Sequence, residues 1–269
     1  MARELLLMRA GKARKATDGD DAARDLKDKG KRAAQKVGVR LLELGLRPDA
    51  IAAAATKRAV VSAEKALKAA GWGADGIVPD ARLAPGTAGD PALLAGWAHG
   101  PDRVMIVAHE RALADLAAHL TGAPATPLPP GGLLRLKMPG DWRDLPRGCA
   151  RAHPPILPGA LPDGFPYPRP GSAERRERPA YYYRQSAVVP YRRRAGGIEV
   201  LIVSSSKRNH WVVPKGIHEP GLSAQTSAAK EATEEAGIAG RVHDTRLGTF
   251  RQEKWGATCT VEVYPMEVT

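Results

Sequence analysis

Cysteine is nearly absent from this sequence: 269 residues contain two, Cys149 and Cys259. They lie far apart and outside any metal-ligand spacing, which argues against a disulfide framework and for reduced thiols. Long hydrophobic runs are missing as well. The early run Leu5-Leu6-Leu7-Met8 is too short for a signal-peptide core or a membrane span. A cytoplasmic protein without membrane attachment is therefore expected, and a homo-oligomer is compatible with the sequence. Acidic residues are in the minority, 29 Asp and Glu against 41 Lys and Arg, for a formal net charge of +12. Such basicity raises nucleic acid as a partner, yet it suits a protein that handles polyphosphates equally well, so nucleic acid is not favoured. Hydrophobic content of 43% and charged content of 26% are those of a folded globular chain, with room for two domains of ordinary size.

One stretch concentrates the carboxylates. From Gly216 the chain runs through Pro220-Gly221 into an Ala-rich segment that ends at Gly237. Ser223 is placed to cap the start of a helix and Gly237 to stop it. Glu231, Glu234 and Glu235 stand at i, i+3 and i+4, so all three project from one helical face. Like charges stacked in this way repel, and clustered carboxylate oxygens suit Mg²⁺ or Mn²⁺. An acidic, solvated surface helix is the plain alternative.

This segment resembles the Nudix box, in which a glycine is followed at fixed spacing by a glutamate, an Arg-Glu pair, a Glu-Glu pair and a second glycine. Gly216, Glu231, Glu234, Glu235, Gly237 and Ile238 match, and Pro214-Lys215 precedes them as expected. Leu222 replaces the first glutamate and Lys230 replaces the arginine. The resemblance implies a Nudix α/β/α sandwich over residues 180–269, apparently short at its C-terminus, because the chain stops at Thr269 soon after a strand. It implies a Mg²⁺ (or Mn²⁺) site formed by Glu231, Glu234, Glu235 and the Gly216 carbonyl. Glu234 and Glu235 become the catalytic carboxylates, and Lys215 a contact to a substrate phosphate. Lys230 keeps the positive charge that holds a motif glutamate, without the two-pronged geometry of arginine.

The N-terminal half alternates strands and helices. Short apolar runs at Glu4–Met8, Ala50–Ala55 and Arg103–Ala108 read as buried strands, and helical periodicity covers Asp21–Leu46, Lys57–Ala70 and Arg111–Leu120. This is the α/β pattern, whose ligands sit beyond the carboxyl ends of the strands. Arg9, Arg58 and His109 all fall at or just after such ends. Arg9-Ala10-Gly11, Asp21-x-x-Arg24-x-Leu26-x-x-x-Gly30, Ala54-Ala55-Thr56-Lys57-Arg58-Ala59 and Val107-Ala108-His109 together resemble the SixA-type phosphohistidine phosphatases of the histidine phosphatase superfamily. The resemblance implies a three-layer α/β domain over residues 1–160, with Gly132–Lys137 as a late edge strand. In that family a histidine occupies the position of Ala10 and serves as the nucleophile. Alanine has no lone pair to attack phosphorus, so turnover is expected to be lost. Arg9, Arg58 and His109 then remain either as a vestigial phosphate pocket or as a structural remnant with ordinary ion pairs.

Residues 161–179, rich in Pro and Gly, read as a semi-rigid linker. Beyond it, Tyr181-Tyr182-Tyr183 reads as the start of a strand continuing through Ser186–Val189, in preference to a platform for stacking bases. The function expected is a metal-dependent Nudix hydrolase cleaving a phosphoanhydride bond in a nucleotide or polyphosphate substrate. The alternative is a non-catalytic sensor that binds nucleotides or RNA.

Overall fold

The computed structural model describes residues 3–15, 22–97, 100–143, 145–205 and 210–269. The chain divides into two compact units, Met1–Asp163 and Gly164–Thr269.

In the first unit, strands β1 (Glu4–Arg9), β2 (Ala50–Ala54), β3 (Ile77–Asp80), β4 (Arg103–Ala108), β5 (Leu133–Lys137) and β6 (Arg151–Ala152) form one sheet in the order β3-β2-β4-β1-β5-β6. Helices α1 (Asp28–Glu43) and α2 (Lys57–Ala69) pack on each other, and α3 (Glu110–Thr121) follows β4. The sheet is parallel from β3 to β1, while β5 runs antiparallel to β1. Leu5, Leu6, Leu7 and Met8 are all fully buried, as a central strand covered on both faces requires. Helix α1 presents Ala34, Val37, Gly38 and Leu41 to the interior, the apolar stripe legible in its periodicity. It starts at Asp28 rather than Asp21, which lies outside the described residues; Lys27 before it is extended, at φ −68° and ψ 155°. The late strand β5 is interior to the sheet, because β6 continues beyond it. The paths after β1 and β4 leave the sheet centre in opposite directions, and a crevice opens outside the carboxyl ends of these two neighbours.

The second unit is built around β9 (Arg184–Arg194), after two short strands, β7 (Phe165–Pro166) and β8 (Arg175–Arg176), that pair with each other. Strand β9 pairs antiparallel with β10 (Gly197–Val200) and, past the hairpin of β11 (Val203–Ser204) and β12 (Trp211–Val212), with β13 (Lys215–Ile217). Helix α4 (Ala224–Ala236) comes next, then β14 (Gly240–Val242), β15 (Gly248–Lys254) and β16 (Ala257–Val268). Strand β16 lies parallel to β9 and accepts β14 and β15 as antiparallel partners. Ala228 and Ala232 of α4 are fully buried with Val188 of β9 and Met266 of β16. Methyl side chains at these positions bring the helix close to the sheet. Both units are α/β folds.

Two segments differ from expectation. Ala180–Tyr183 is a short 3-10 helix, so β9 begins only at Arg184. The segment expected as a linker folds with the second unit from Gly164 onward. Phe165 is buried, and the Arg176 guanidinium lies 3.3 Å from the ring centre of Tyr167 and 4.7 Å from that of Tyr183. Cation–π contact of this kind, with a largely covered arginine, ties the segment down. Among the described residues, no helix is long and apolar enough to cross a membrane.

Glu4 joins three strands of the first sheet. Its carboxylate accepts from Arg103 Nε at 2.6 Å and from Arg135 Nε at 2.7 Å, linking β1 to β4 and β5. Burial alone would raise its pKa, but the hydrogen bonds from Arg135 and Arg103 prevail and hold it below the usual glutamate value. A carboxyl group whose pKa is depressed by folding stabilises the fold above its unfolded pKa and loses that contribution as pH falls through the folded value. Glu4→Gln is therefore expected to lower the denaturation midpoint at pH 7. The difference from wild type should shrink below about pH 4, as read by urea unfolding across pH; a pH-independent difference would contradict the assignment.

Candidate functional site

In the second unit, the loop from β13 to α4 folds back on the helix that follows it. Ser223 Oγ accepts from the amide of Thr226 at 3.0 Å and caps α4. Gly237, at φ 64°, ends the helix in the left-handed conformation open to glycine. Between these caps stand Glu231, Glu234 and Glu235. The amide of Lys215 donates to Glu235 Oε2 at 3.0 Å, fastening this carboxylate to the strand that leads into the loop. Gly216 is held by the same geometry: a Cβ there would lie 1.9 Å from the carboxyl carbon of Glu231. Only glycine lets that carboxylate rest against the backbone.

Glu231 carries the electrostatic signature of the cluster. Its pKa is pushed up to about 7, first by burial and then by the negative charges of Glu235, Glu234 and Glu219. The three expected carboxylates are thus electrostatic neighbours, and a fourth joins them. Lys230 Nζ donates to both carboxylate oxygens of Glu219, at 3.0 and 3.1 Å, and lies 3.9 Å from Glu234. Glu219 is further placed by its own amide, which donates to the buried Ser227 Oγ at 3.1 Å. Leu222, where a motif glutamate was expected, contributes only backbone: its carbonyl is 2.9 Å from His218 Nε2. Among the described residues, no three His, Cys, Asp or Glu side chains converge as a metal site as they stand.

Glu219 was not singled out from the sequence. A glutamate near Leu222 and a lysine at 230 were visible there, but their pairing depends on the path of the loop, which residue spacing does not give.

In the first unit, Arg9, Arg58 and His109 come together in a cleft of about 530 Å³ at the carboxyl ends of β1 and β4. Ala10 is also part of its lining, with Lys12, Arg24 and Arg111, residues the sequence had not placed there. Arg9 is held twice, by Glu110 at 2.8 Å and by the carbonyl of Leu128 at 2.5 Å. His109 Nε2 lies 3.3 Å from Thr56 Oγ1, and the amide of Gly11 donates to Ser62 Oγ at 2.9 Å.

Two expectations follow for the carboxylate cluster. A glutamate whose pKa is raised on folding binds more protons folded than unfolded, so its contribution to stability falls as pH rises from about 4.5 to about 7. Without divalent cations, Glu231→Gln should therefore gain thermal stability relative to wild type across that window, with little difference at pH 4. An unchanged difference across the window would remove Glu231 as the strained member. Separately, Glu219→Gln should cost under about 1 kcal/mol of stability, and adding Leu222→Glu should recover part of it through a new partner for Lys230. Chemical denaturation of the single and double variants measures both, and a strictly additive result contradicts the idea that either carboxylate can serve.

The family-model match falls within the second unit. Residues 182–262 match the family model described as NUDIX domain. An Ap4A hydrolase from C. elegans is similar at 30% identity, over 32% of this chain and 67% of that one, with a TM-score of 0.30. A protein histidine phosphatase SixA complexed with tungstate is similar at 18% identity, over 58% of this chain and 97% of its own, with a TM-score of 0.49. A mycobacterial glucosyl-3-phosphoglycerate phosphatase is similar at 19% identity, over 56% and 97%, with a TM-score of 0.40. The comparison with curated proteins returned no match. Through residues 182–262, which include the capped helix and its three glutamates, the chain belongs to the Nudix family.

Proposed function

We propose that the second unit is a divalent-cation-dependent hydrolase that cleaves a phosphoanhydride bond in a nucleotide or polyphosphate. The observation that carries this reading is the mutual crowding of Glu231, Glu234, Glu235 and Glu219 beside Gly216. A helix that needed only stability gains nothing from such repulsion. The donor set fits a hard cation such as Mg²⁺ or Mn²⁺: carboxylates of Glu231, Glu234 and Glu235, with the carbonyl of Gly216 beside them. Bound there, the cation would neutralise phosphate charge and acidify water.

The chain's own residues do the rest. Glu235, fixed by the Lys215 amide, is a positioned acceptor for the proton of an attacking water, and Glu234 is its neighbour for the same task. The water oxygen bonds to phosphorus, the anhydride P–O bond breaks, and the leaving phosphate departs with the electron pair. The side chain of Lys215 offers a point charge to a phosphate oxygen. Lys230, paired with Glu219, holds the loop to the helix. In the first unit, Ala10 supplies no nucleophile, so that cleft binds phosphate without turning it over.

The test is a hydrolysis screen with Mg²⁺ or Mn²⁺ over dinucleoside polyphosphates, nucleoside triphosphates, nucleotide sugars and diphosphoinositol-type compounds. Glu235→Gln is expected to lower kcat by about 100-fold or more with a much smaller change in KM. Equal turnover in both proteins would sink the role given to Glu235. No turnover on any phosphoanhydride, with nucleotide binding retained, would favour a non-catalytic sensor, the reading to which Leu222 and Ala10 point.

A further inference from the structure

The cleft of the first unit is larger and more cationic than one phosphate group needs. Arg9, Lys12, Arg24, Arg58 and Arg111 line it, and among the described lining residues Glu110 is the one carboxylate. Its volume of about 530 Å³ falls among sites that enclose whole small molecules, roughly 300–1,000 Å³. The cations also come from separate elements: Arg9 ends β1, Lys12 and Arg24 lie on the stretch between β1 and α1, Arg58 opens α2 and Arg111 opens α3. Charges spread in this way around a cleft suit an extended anion better than a compact one, since several phosphate groups can each meet a guanidinium. Ala10, buried in the lining, offers no atom that could attack phosphorus.

We propose that this cleft is a non-hydrolysing receptor for a polyphosphate anion, a chain of about three phosphates either free or carried on a nucleoside. The proposal rests on the phosphate-binding reading of the cleft and extends it from one phosphate to several. Arg9 is already paired with Glu110 at 2.8 Å, so it is oriented before the ligand arrives. Arg24, Lys12 and Arg111 supply the charge for phosphates beyond the first. A ligand held in this way stays intact, because the Ala10 methyl at the end of β1 has no lone pair to attack phosphorus.

Isothermal titration of the full chain in EDTA, which removes divalent cations from the second unit, tests the proposal with orthophosphate, tripolyphosphate and ATP. Wild type and Glu235→Gln should bind tripolyphosphate alike and at least about tenfold more tightly than orthophosphate. An Arg24→Gln/Arg58→Gln protein should lose about tenfold or more, as expected when charged hydrogen bonds are removed. Arg111→Gln, on the exposed start of α3, gives a second reading of the same loss should the double variant not fold. ATP binding equal to that of tripolyphosphate would identify the phosphate chain as the element recognised, and tighter ATP binding would identify a nucleoside-borne chain. Orthophosphate binding as tightly as tripolyphosphate would overturn the polyphosphate proposal while leaving the phosphate pocket standing. Absence of any anion binding would end both. Tripolyphosphate affinity unchanged in the arginine variants would place the anion elsewhere and overturn the proposal.

Discussion

Repulsion among carboxylates is the constraint that shapes the second unit around its site. Glu231 is half-buried beside two like charges on its own helix and a third on the preceding loop. Everything nearby counters this repulsion or makes room for it. Gly216 gives up its side chain so that the Glu231 carboxyl group can lie against the main chain. The Lys215 amide takes one oxygen of Glu235. Lys230 holds Glu219 and lies near Glu234. Burying Ala228 and Ala232 fixes the helix that carries all of this to Val188 and Met266. A stable packing face thus borders a row of carboxylates that is electrostatically strained, and such strain is commonest at functional sites.

The two candidate sites carry opposite charge. In the second unit, acidic groups would approach a polyanion only through bridging cations; in the first, guanidinium and ammonium groups line the cleft. The chain's net charge of +12 is consistent with that pairing. The first unit's cleft lies where the chain leaves two neighbouring parallel strands in opposite directions. Its architecture therefore provides a cavity independently of which side chains line it.

Much of this was legible in the sequence, for local reasons. The helix caps at Ser223 and Gly237 and the spacing of the three glutamates follow from helical periodicity. Arg9, Arg58 and His109 fall at element ends, which short apolar runs reveal. Contacts that depend on the path of a loop were not legible. Glu219 meets Lys230 only because the loop turns back on α4. Lys12 and Arg24 reach the cleft from the connection before α1, which starts at Asp28, although the helical periodicity was read as beginning at Asp21. Strand β3 has little signal in the sequence, because Ile77-Val78-Pro79-Asp80 is a short edge strand with an internal proline. The tyrosines before β9 suggested a longer strand; they form a 3-10 turn because Tyr183 packs against Tyr167 and Arg176.

That last contact redraws where a transferable module begins. The family match starts at residue 182, but Arg176, clasped between two tyrosines, makes the preceding hairpin a part of the same folding unit. A protein severed just ahead of Ala180 would keep every residue of the match and lose the guanidinium that lies against Tyr183. The inheritable piece is therefore longer than its recognisable signature. A cut just after Asp163 would instead keep Arg176 on the same piece as Tyr167 and Tyr183, the rings it lies against.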